Sequence, residues 1–524
     1  MTDEFGDPSV DVKWRYGDPM TRADRPAKTP RTTGWFRTKS IEQSIEDTDE
    51  PDTKLRKELG SWDLTVFGVA VAVGAGIFTL TARTAGNVAG PAVSLAFVLA
   101  AIACGLAALC YAEFASTVPV AGSAYTFSYA AFGEFIAWII GWDLILEFGL
   151  AAAVVAKAWS LYLGDLLGTS APVLEIGSLN FDWGALLIVV VLTVLIASGT
   201  KLSSRVSLVI TAVKVIVVLF VVVVGAFYIK VANYDPYIPP SEPASTGEGL
   251  HQSLFSFVTG AGGSTFGWYG LLAAASLVFF AFIGFDVVAT TAEETREPQK
   301  ALPRGILGSL AIVTVLYVAV TLVLTGMVKY TDLAGDSSTL ATAFELNGLT
   351  WAKNIISFGA LAGLTTVVMV LMLGQTRVLF AMSRDGLVPR GLAHTGSKGT
   401  PVRTTILVGV IVGLLAAFVP LGTLEEMVNI GTLFAFVLVS AGVLVLRRTR
   451  PDLERGFRVP WVPLVPILAV LACLWLMLNL SVETWLRFLV WMAAGVVIYV
   501  LYGRRHSVMG LREAGKSRTE KPER

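Results

Sequence analysis

Long apolar runs separated by short polar ones occupy nearly the whole chain, on the length scale of a bilayer. Twelve stretches are predicted as membrane helices: 62–88, 91–115, 127–157, 184–200, 203–229, 270–292, 305–328, 352–380, 402–420, 423–447, 459–480 and 484–502. The first sixty residues are polar and contain proline, with no apolar core of a cleaved signal peptide, and read as a solvated tail. The outer connection 230–269 is rich in Gly, Pro and Ser and has room for a short lid helix.

Composition narrows the class. Hydrophobic residues make up 54% of the 524 and charged residues 15%, against roughly 25% charged in soluble proteins. Lys+Arg and Asp+Glu balance at 40 each. Such a chain cannot cover a globule with polar surface, which excludes a soluble enzyme, a disordered protein and a basic nucleic-acid binder. Cys104, Cys110 and Cys473 sit in apolar runs without a CxxC pair or a close histidine, so neither a disulfide nor a metal site is expected. His251, His394 and His506 fall in predicted loops or tails, away from any nucleophile, and no Walker loop is present. No enzymatic activity, cofactor or nucleic-acid partner is expected, and no obligatory protein partner is evident.

Loop lysines and arginines decide sidedness. With the N-terminus inside, 32 of the 40 fall in the two tails and the even-numbered connections. Only Arg83, Lys157, Lys230, Lys329, Lys353 and Arg487 lie at or near the outside, and Lys214 and Arg377 lie within stretches. Both termini are expected in the cytoplasm of a plasma (inner) membrane.

Two stretches are interrupted by glycine. The first carries Gly74-Ala75-Gly76-Ile77-Phe78 and the sixth Phe282-Ile283-Gly284-Phe285-Asp286, each near its middle. Glycine inside a helix costs about 1 kcal/mol relative to alanine and exposes backbone. In hydrocarbon, exposed backbone is tolerated only where it lines a cavity or is buried in protein. Either site alone also reads as close helix packing through small residues. The two lie five stretches apart, however, and a repeated five-span unit must re-enter the membrane inverted. Matching interruptions in two inverted halves point to a midplane binding site. Free N–H groups at a half-helix start attract an anion, and free C=O groups at a half-helix end attract a cation. A zwitterionic amino acid suits both.

Four segments carry a specific resemblance: "GAGIF" (74–78), "GSAYTFSYAAFGEF" (122–135), "FFAFIGFDVVATTAEETREPQKALPRGI" (279–306) and "GQTRVLFAMSRDGLVP" (374–389). Over about residues 60–505 the chain resembles the amino acid–polyamine–organocation superfamily, specifically bacterial relatives of the cationic amino acid transporters. The resemblance implies an all-α membrane fold of twelve transmembrane helices. These form a five-plus-five inverted repeat of the leucine-transporter type with helices 1 and 6 discontinuous, plus two C-terminal helices. It divides the chain into a tail 1–60, a transport core 61–447, helices 11–12 at 448–503 and a tail 504–524. By position it assigns the amides of Ala75 and Gly76, beside Gly74, to the substrate carboxylate. The carbonyls near Ala72 and of Phe280, Ala281 and Ile283, beside Gly284, are assigned to the amino group. Phe280 and Phe282 match aromatic positions that line or gate the pocket.

Charges within the stretches are functional candidates by default. Lys214 lies about eleven residues from the inner end of its stretch, roughly 16 Å along a helix, too deep to reach the interface. It reads as a proton carrier or as half of a structural ion pair. In proton-coupled members of the superfamily a span-5 lysine stands where others hold sodium between spans 1 and 8. Lys214 matches that position, with Thr365 and Thr366 as the span-8 hydroxyls. Those threonines equally suit bonds to their own helix. Asp143 and Glu147 share one face of span 3 four residues apart. The resemblance implies that span 3 lines the substrate site, which sets Glu147 near the ligand, and a hydrogen-bonding role against neighbouring helices suits it equally. Asp286 follows the sixth interruption, where some relatives place an acidic gate. Glu293 and Glu294 are expected to pair with Arg296, Lys300 and Arg304 at the inner end, with Arg377 snorkelling or joining them.

The leading reading is a proton-coupled secondary amino acid transporter working by alternating access on a small neutral or cationic L-amino acid. An exchanger of cationic amino acids or polyamines and a non-transporting sensor are the alternatives. A channel is disfavoured because only isolated charges appear along the spans.

Overall fold

The structure, a computed structural model, describes residues 59–513 apart from 119–123, 169–171, 177–178, 200–203, 244–248, 261–263, 336–337, 395–399 and 452. The predicted N-terminal tail lies outside the described residues except for its last two. Among the described residues, eight helices are long and apolar enough to cross a membrane, and four shorter apolar helices accompany them. The first apolar stretch is divided between two of these elements, the second of which also carries the second stretch.

The first stretch is α1 (Ser61–Ala72) followed, after a break, by wide π-type turns at Gly76–Leu80 and Ala85–Ala89. Then come α2 (Val93–Thr117), α3 (Ala124–Ala131), α4 (Glu134–Leu167), the antiparallel hairpin β1 (Val173–Ile176) and β2 (Leu179–Asp182), α5 (Trp183–Ala197) and α6 (Ser204–Ala226). The outer connection holds a short helix, α7 (Leu254–Thr259), docked through its Leu254 amide on the Leu480 carbonyl at 2.9 Å. The sixth stretch is α8 (Gly267–Val278) running into 3-10 turns at Phe279–Phe282 and Val287–Glu294. It is followed by α9 (Pro298–Met327), α10 (Leu340–Leu346), α11 (Thr350–Arg384), α12 (Val402–Phe418), α13 (Leu421–Thr449), α14 (Leu464–Leu478) and α15 (Val482–Ile498).

Local chemistry explains the boundaries. The third stretch was expected to begin near residue 127, but the long helix starts at Glu134. Gly133 adopts φ +93° and its amide reaches back to Ser128 O at 3.2 Å, closing α3 as a separate helix. Gly133 was visible in the sequence, yet glycine in an apolar run reads equally as packing. Asp182, at the end of the hairpin, accepts the Ala185 amide at 2.9 Å and so caps α5.

Packing pairs apolar stretches that are five apart in the sequence. α2 lies along α9, α4 along α11 and α5 along α12, while the Gly76–Leu80 turn touches the Phe279–Phe282 turn. Small residues permit the close approaches. A methyl at Gly305 would meet Leu64 Cβ at 2.6 Å, and one at Gly359 would meet Val217 Cγ2 at 2.3 Å. The three cysteines are buried free thiols. Side chains facing outward from α5, α6, α12 and α15 are large aliphatics, including Val194, Ile216, Val410 and Val490, as a lipid-facing surface requires.

Two clusters bind the inner ends predicted from the charge pattern. Glu113 at the end of α2 is buried and accepts from Arg447 Nε at 2.9 Å, Arg447 Nη2 at 2.5 Å and the Val459 amide at 2.7 Å. Glu134 accepts from Tyr129 at 2.7 Å and Tyr499 at 3.0 Å, and from Ser507. The Val508 amide donates to Asp385 O at 3.0 Å. The start of the expected C-terminal tail is therefore docked on the helix ends, because Ser507 satisfies a buried carboxylate.

Candidate functional site

Two backbone interruptions meet at the centre of the molecule. α1 closes when the Val73 amide bonds Val69 O at 2.9 Å, and Val73 leaves helical geometry at ψ 85°. The next bond is the Phe78 amide to Gly74 O at 3.3 Å. The amides of Ala75 and Gly76 therefore stand at the start of a new helical segment, where N–H groups have no intrahelical acceptor. In the sixth segment, Ile283 is extended (ψ 131°) and Gly284 has φ +133°. A Cβ at Gly284 would lie 2.9 Å from Ala72 N, and one at Gly76 would lie 2.3 Å from Ala281 Cα. Glycine is required at both positions because each break presses on the other's backbone.

Between the breaks lies a small cavity, with about 20 Å³ open to the centre of a water-sized occupant, enough for one or two waters. Val71, Ala72, Ala75 and Gly76 form one wall and Phe280 and Ile283 the opposite one. Ala151 and Val155 of α4 and Val367 and Leu371 of α11 close the sides. Every side chain on this wall is apolar. The only polar groups it can offer are the peptide units of the interrupted segments.

The predicted site residues divide accordingly. Ala72, Ala75, Gly76, Phe280 and Ile283 line the cavity. Gly74, Ala281 and Gly284 sit just behind it as parts of the two breaks. Phe282 turns away, its ring 6.0 Å from Phe97 and 5.4 Å from Tyr317 between centroids. Asp286 is buried behind the wall, where its Oδ1 accepts the Gly284 amide at 3.0 Å. That bond reaches back across the break and satisfies the amide of the glycine at its turn. Glu147 is one turn along α4 from Ala151, on the same face but outside the cavity wall.

Lys214 is fully buried. Its stem lies against Gly363 of α11, and its ammonium donates to the Ala70 carbonyl, two residues before the end of α1. Thr365 Oγ1 donates to Leu361 O at 2.8 Å and accepts from Trp159 at 3.0 Å. Thr366 donates to Gly363 O at 2.7 Å. Both hydroxyls thus bond their own helix, and among the described residues the lysine's hydrogen bond is to Ala70.

Two tyrosines missed in the sequence hold the broken segments. Tyr317 of α9 donates to Ala72 O at 2.5 Å, and Tyr162 of α4 donates to Phe78 O at 2.7 Å. Each satisfies a carbonyl beside a break. Their signal was a lone phenol in an otherwise apolar run. Ion pairs close both ends. Arg83 pairs with the buried Glu425 of α13 on one side, and Arg377 bonds Glu294 at 2.8 Å on the other. The inner pair joins α11 to the sixth segment; Glu294 takes Arg377, and Lys300 instead faces Glu297 at 3.5 Å.

The amino acid permease family model matches residues 59–502. The chain is 45% identical to the branched-chain amino acid permease BcaP of Bacillus subtilis (strain 168), over 90% of this chain and 98% of that protein. It is 41% identical to the methylthioribose transporter of the same organism, over 90% and 99%. With the vacuolar cationic amino acid transporter 4 of Arabidopsis thaliana it shares 36% identity, over 76% of this chain and 64% of that one.

Gly76→Ala and Gly284→Ala each force the two breaks apart and are expected to destabilise the protein by about 1–3 kcal/mol. Gly105→Ala, at a position with nothing within 4 Å, serves as control. Thermal unfolding of the detergent-purified protein checks this: the first two midpoints fall and the control does not.

Proposed function

The chain belongs to the amino acid permease family and is related to the cationic amino acid transporters, and from that membership we propose that it carries a neutral L-amino acid with a branched aliphatic side chain, driven by protons. It is a multi-pass membrane protein of the amino acid transporter class. The observation that carries the substrate reading is the cavity wall, which sets the peptide groups of the two breaks among side chains that are all apolar and uncharged.

The amides of Ala75 and Gly76, at the positive end of a half-helix, receive the carboxylate. Carbonyls of Ala72 and the sixth segment receive the ammonium. Val71, Val155, Ile283, Val367 and Leu371 surround the side chain, where each buried methylene contributes about 0.8 kcal/mol. A lysine or arginine side chain would enter the same space with no carboxylate on the wall to pair its charge, a penalty that discriminates against it. BcaP, the 45% identical relative, is named for branched-chain substrates, which supports this reading.

Lys214 links proton and substrate. Its protonated ammonium ties α6 to the last turn of α1 through Ala70 O. A neutral lysine lacks that charge-assisted bond, so protonation sets how firmly the first half-helix is held beside the cavity. We read the pairing of apolar stretches five apart as two inverted five-helix units, with two further helices after them, and the protein as spanning a plasma membrane twelve times with both ends inside. Closure by Arg83–Glu425 and Arg377–Glu294 fits an occluded step of alternating access.

Reconstituted protein with an inward-directed proton gradient and no sodium should accumulate radiolabelled leucine. Excess isoleucine and valine should abolish the signal, and arginine and methylthioribose should not. Accumulation that arginine blocks as well as isoleucine would overturn the substrate reading. Lys214→Ala should abolish gradient-driven uptake while the protein stays folded. Uptake that persists in this variant and still acidifies the lumen would contradict the coupling role.

A further inference from the structure

The interior holds a second titratable site that the cavity and Lys214 leave unused. Asp143 and Glu147 of α4 are 0% and 1% exposed, and none of their four carboxylate oxygens has a hydrogen-bond partner among the described residues. They stand four apart on one face of α4, in line with Ala151 and Val155 of the cavity wall. The pair forms the continuation of that wall by one and two turns, toward the end of α4 that carries Glu134.

The surroundings supply no compensating charge. α13 presents Gly431, whose missing side chain leaves room for the acid: a Cβ there would lie 3.0 Å from Asp143 Oδ1. Thr432 of α13, beside Glu147, donates its hydroxyl proton to Val428 O at 3.1 Å. The sixth segment contributes Asp286, a third acid, whose Oδ1 accepts the Gly284 amide. From α11 the Gln375 amide bonds Ile145 O at 3.1 Å, and from α3 Tyr125 donates to Asp385 at 2.7 Å. Neither carboxylate makes an ion pair among the described residues, and no group of three or more metal-ligating side chains is found there.

Two unpartnered carboxylates four residues apart in a low-dielectric interior repel each other and lack hydration. Neutral carboxylic acids remove both penalties. We propose that Asp143 and Glu147 form a proton-binding site separate from Lys214, carrying their protons as neutral acids while the cavity is closed. When the α4–α13 seam opens to water, the pair deprotonates and the proton passes to solvent on that side. This rests on the reading of the chain as a proton-driven carrier, for which it supplies an exit station beside the substrate path.

Infrared spectroscopy of the reconstituted full-length protein tests the site. At neutral pH the wild type should show a protonated-carboxyl stretching band that shifts in deuterated water. Glu147→Gln and Asp143→Asn, which mimic the neutral acid in shape, should each remove roughly half of the variant-sensitive band, as expected for one carboxyl apiece. The double variant should remove all of it, and Lys214→Ala should leave it in place. Glu147→Gln should also slow leucine-driven acidification of the lumen at least about tenfold, because the amide cannot release a proton. Spectra of wild type and double variant that coincide in this region would overturn the proposal. So would a band lost when sodium replaces choline in the buffer, which would mark a cation site. Wild-type acidification rates in the double variant would refute the exit role. A wild type that shows the band but neither leucine uptake nor acidification would defeat the transport reading while leaving the protonated acids standing.

Discussion

A peptide group inside a bilayer must find a partner within the protein, because no water is there to supply one. Two helices in this chain break that rule at the same depth, and the structure is arranged around those breaks. Each leaves amides and carbonyls without intrahelical partners, and each is held by groups brought from elsewhere. Tyr317 donates to Ala72 O, Tyr162 to Phe78 O and Lys214 to Ala70 O, while the Asp286 carboxylate accepts the Gly284 amide. Between the breaks lies a cavity walled by apolar side chains. On our reading, the amides of Ala75 and Gly76 on that wall receive the solute.

Contact between the breaks makes them one unit. Gly76 rests on Ala281 and Gly284 rests on Ala72 at distances no side chain would permit. Movement of one half-helix must therefore displace the other. The same interlock sets the lysine beside the breaks: Ala70, its acceptor, is two residues from the cavity-lining Ala72. On the coupling we propose, a change in lysine charge reaches the cavity wall through half a turn of backbone. The Asp143–Glu147 pair lies along another edge of that wall, on α4, which also presents Ala151 and Val155.

Much of this was legible before any coordinates. Apolar length marked the helical segments, glycine in two apolar runs marked the breaks, and depth along its stretch marked Lys214 as unable to reach water. The parts that were not legible depend on which face meets which. Periodicity does not tell a threonine that bonds its own helix from one that faces a cation, so Thr365 and Thr366 read both ways and bond their own helices. Asp286 reads as an acidic gate by resemblance, and nothing local in the sequence says that its carboxylate accepts the Gly284 amide behind the cavity wall. Tyr162 and Tyr317 act across the fold on carbonyls far away in sequence, which no local pattern encodes. Glu147 reads either as near the ligand or as set against neighbouring helices; it lies one turn of α4 from Ala151, outside the wall of the closed cavity. The sequence leaves the substrate's side chain open between neutral and cationic, and the uncharged wall supports the neutral reading we propose.

The central claim is that peptide groups at the two breaks hold both ends of a zwitterion. Binding of leucine to the purified protein, measured against leucinol and 4-methylpentanoate, tests it most directly. The first analogue lacks the carboxylate and the second lacks the ammonium, while both keep the aliphatic chain. The account predicts that each analogue binds at least about a hundredfold more weakly than leucine, because buried peptide donors or acceptors are left unpaired. Equal binding of leucine and either analogue would contradict it.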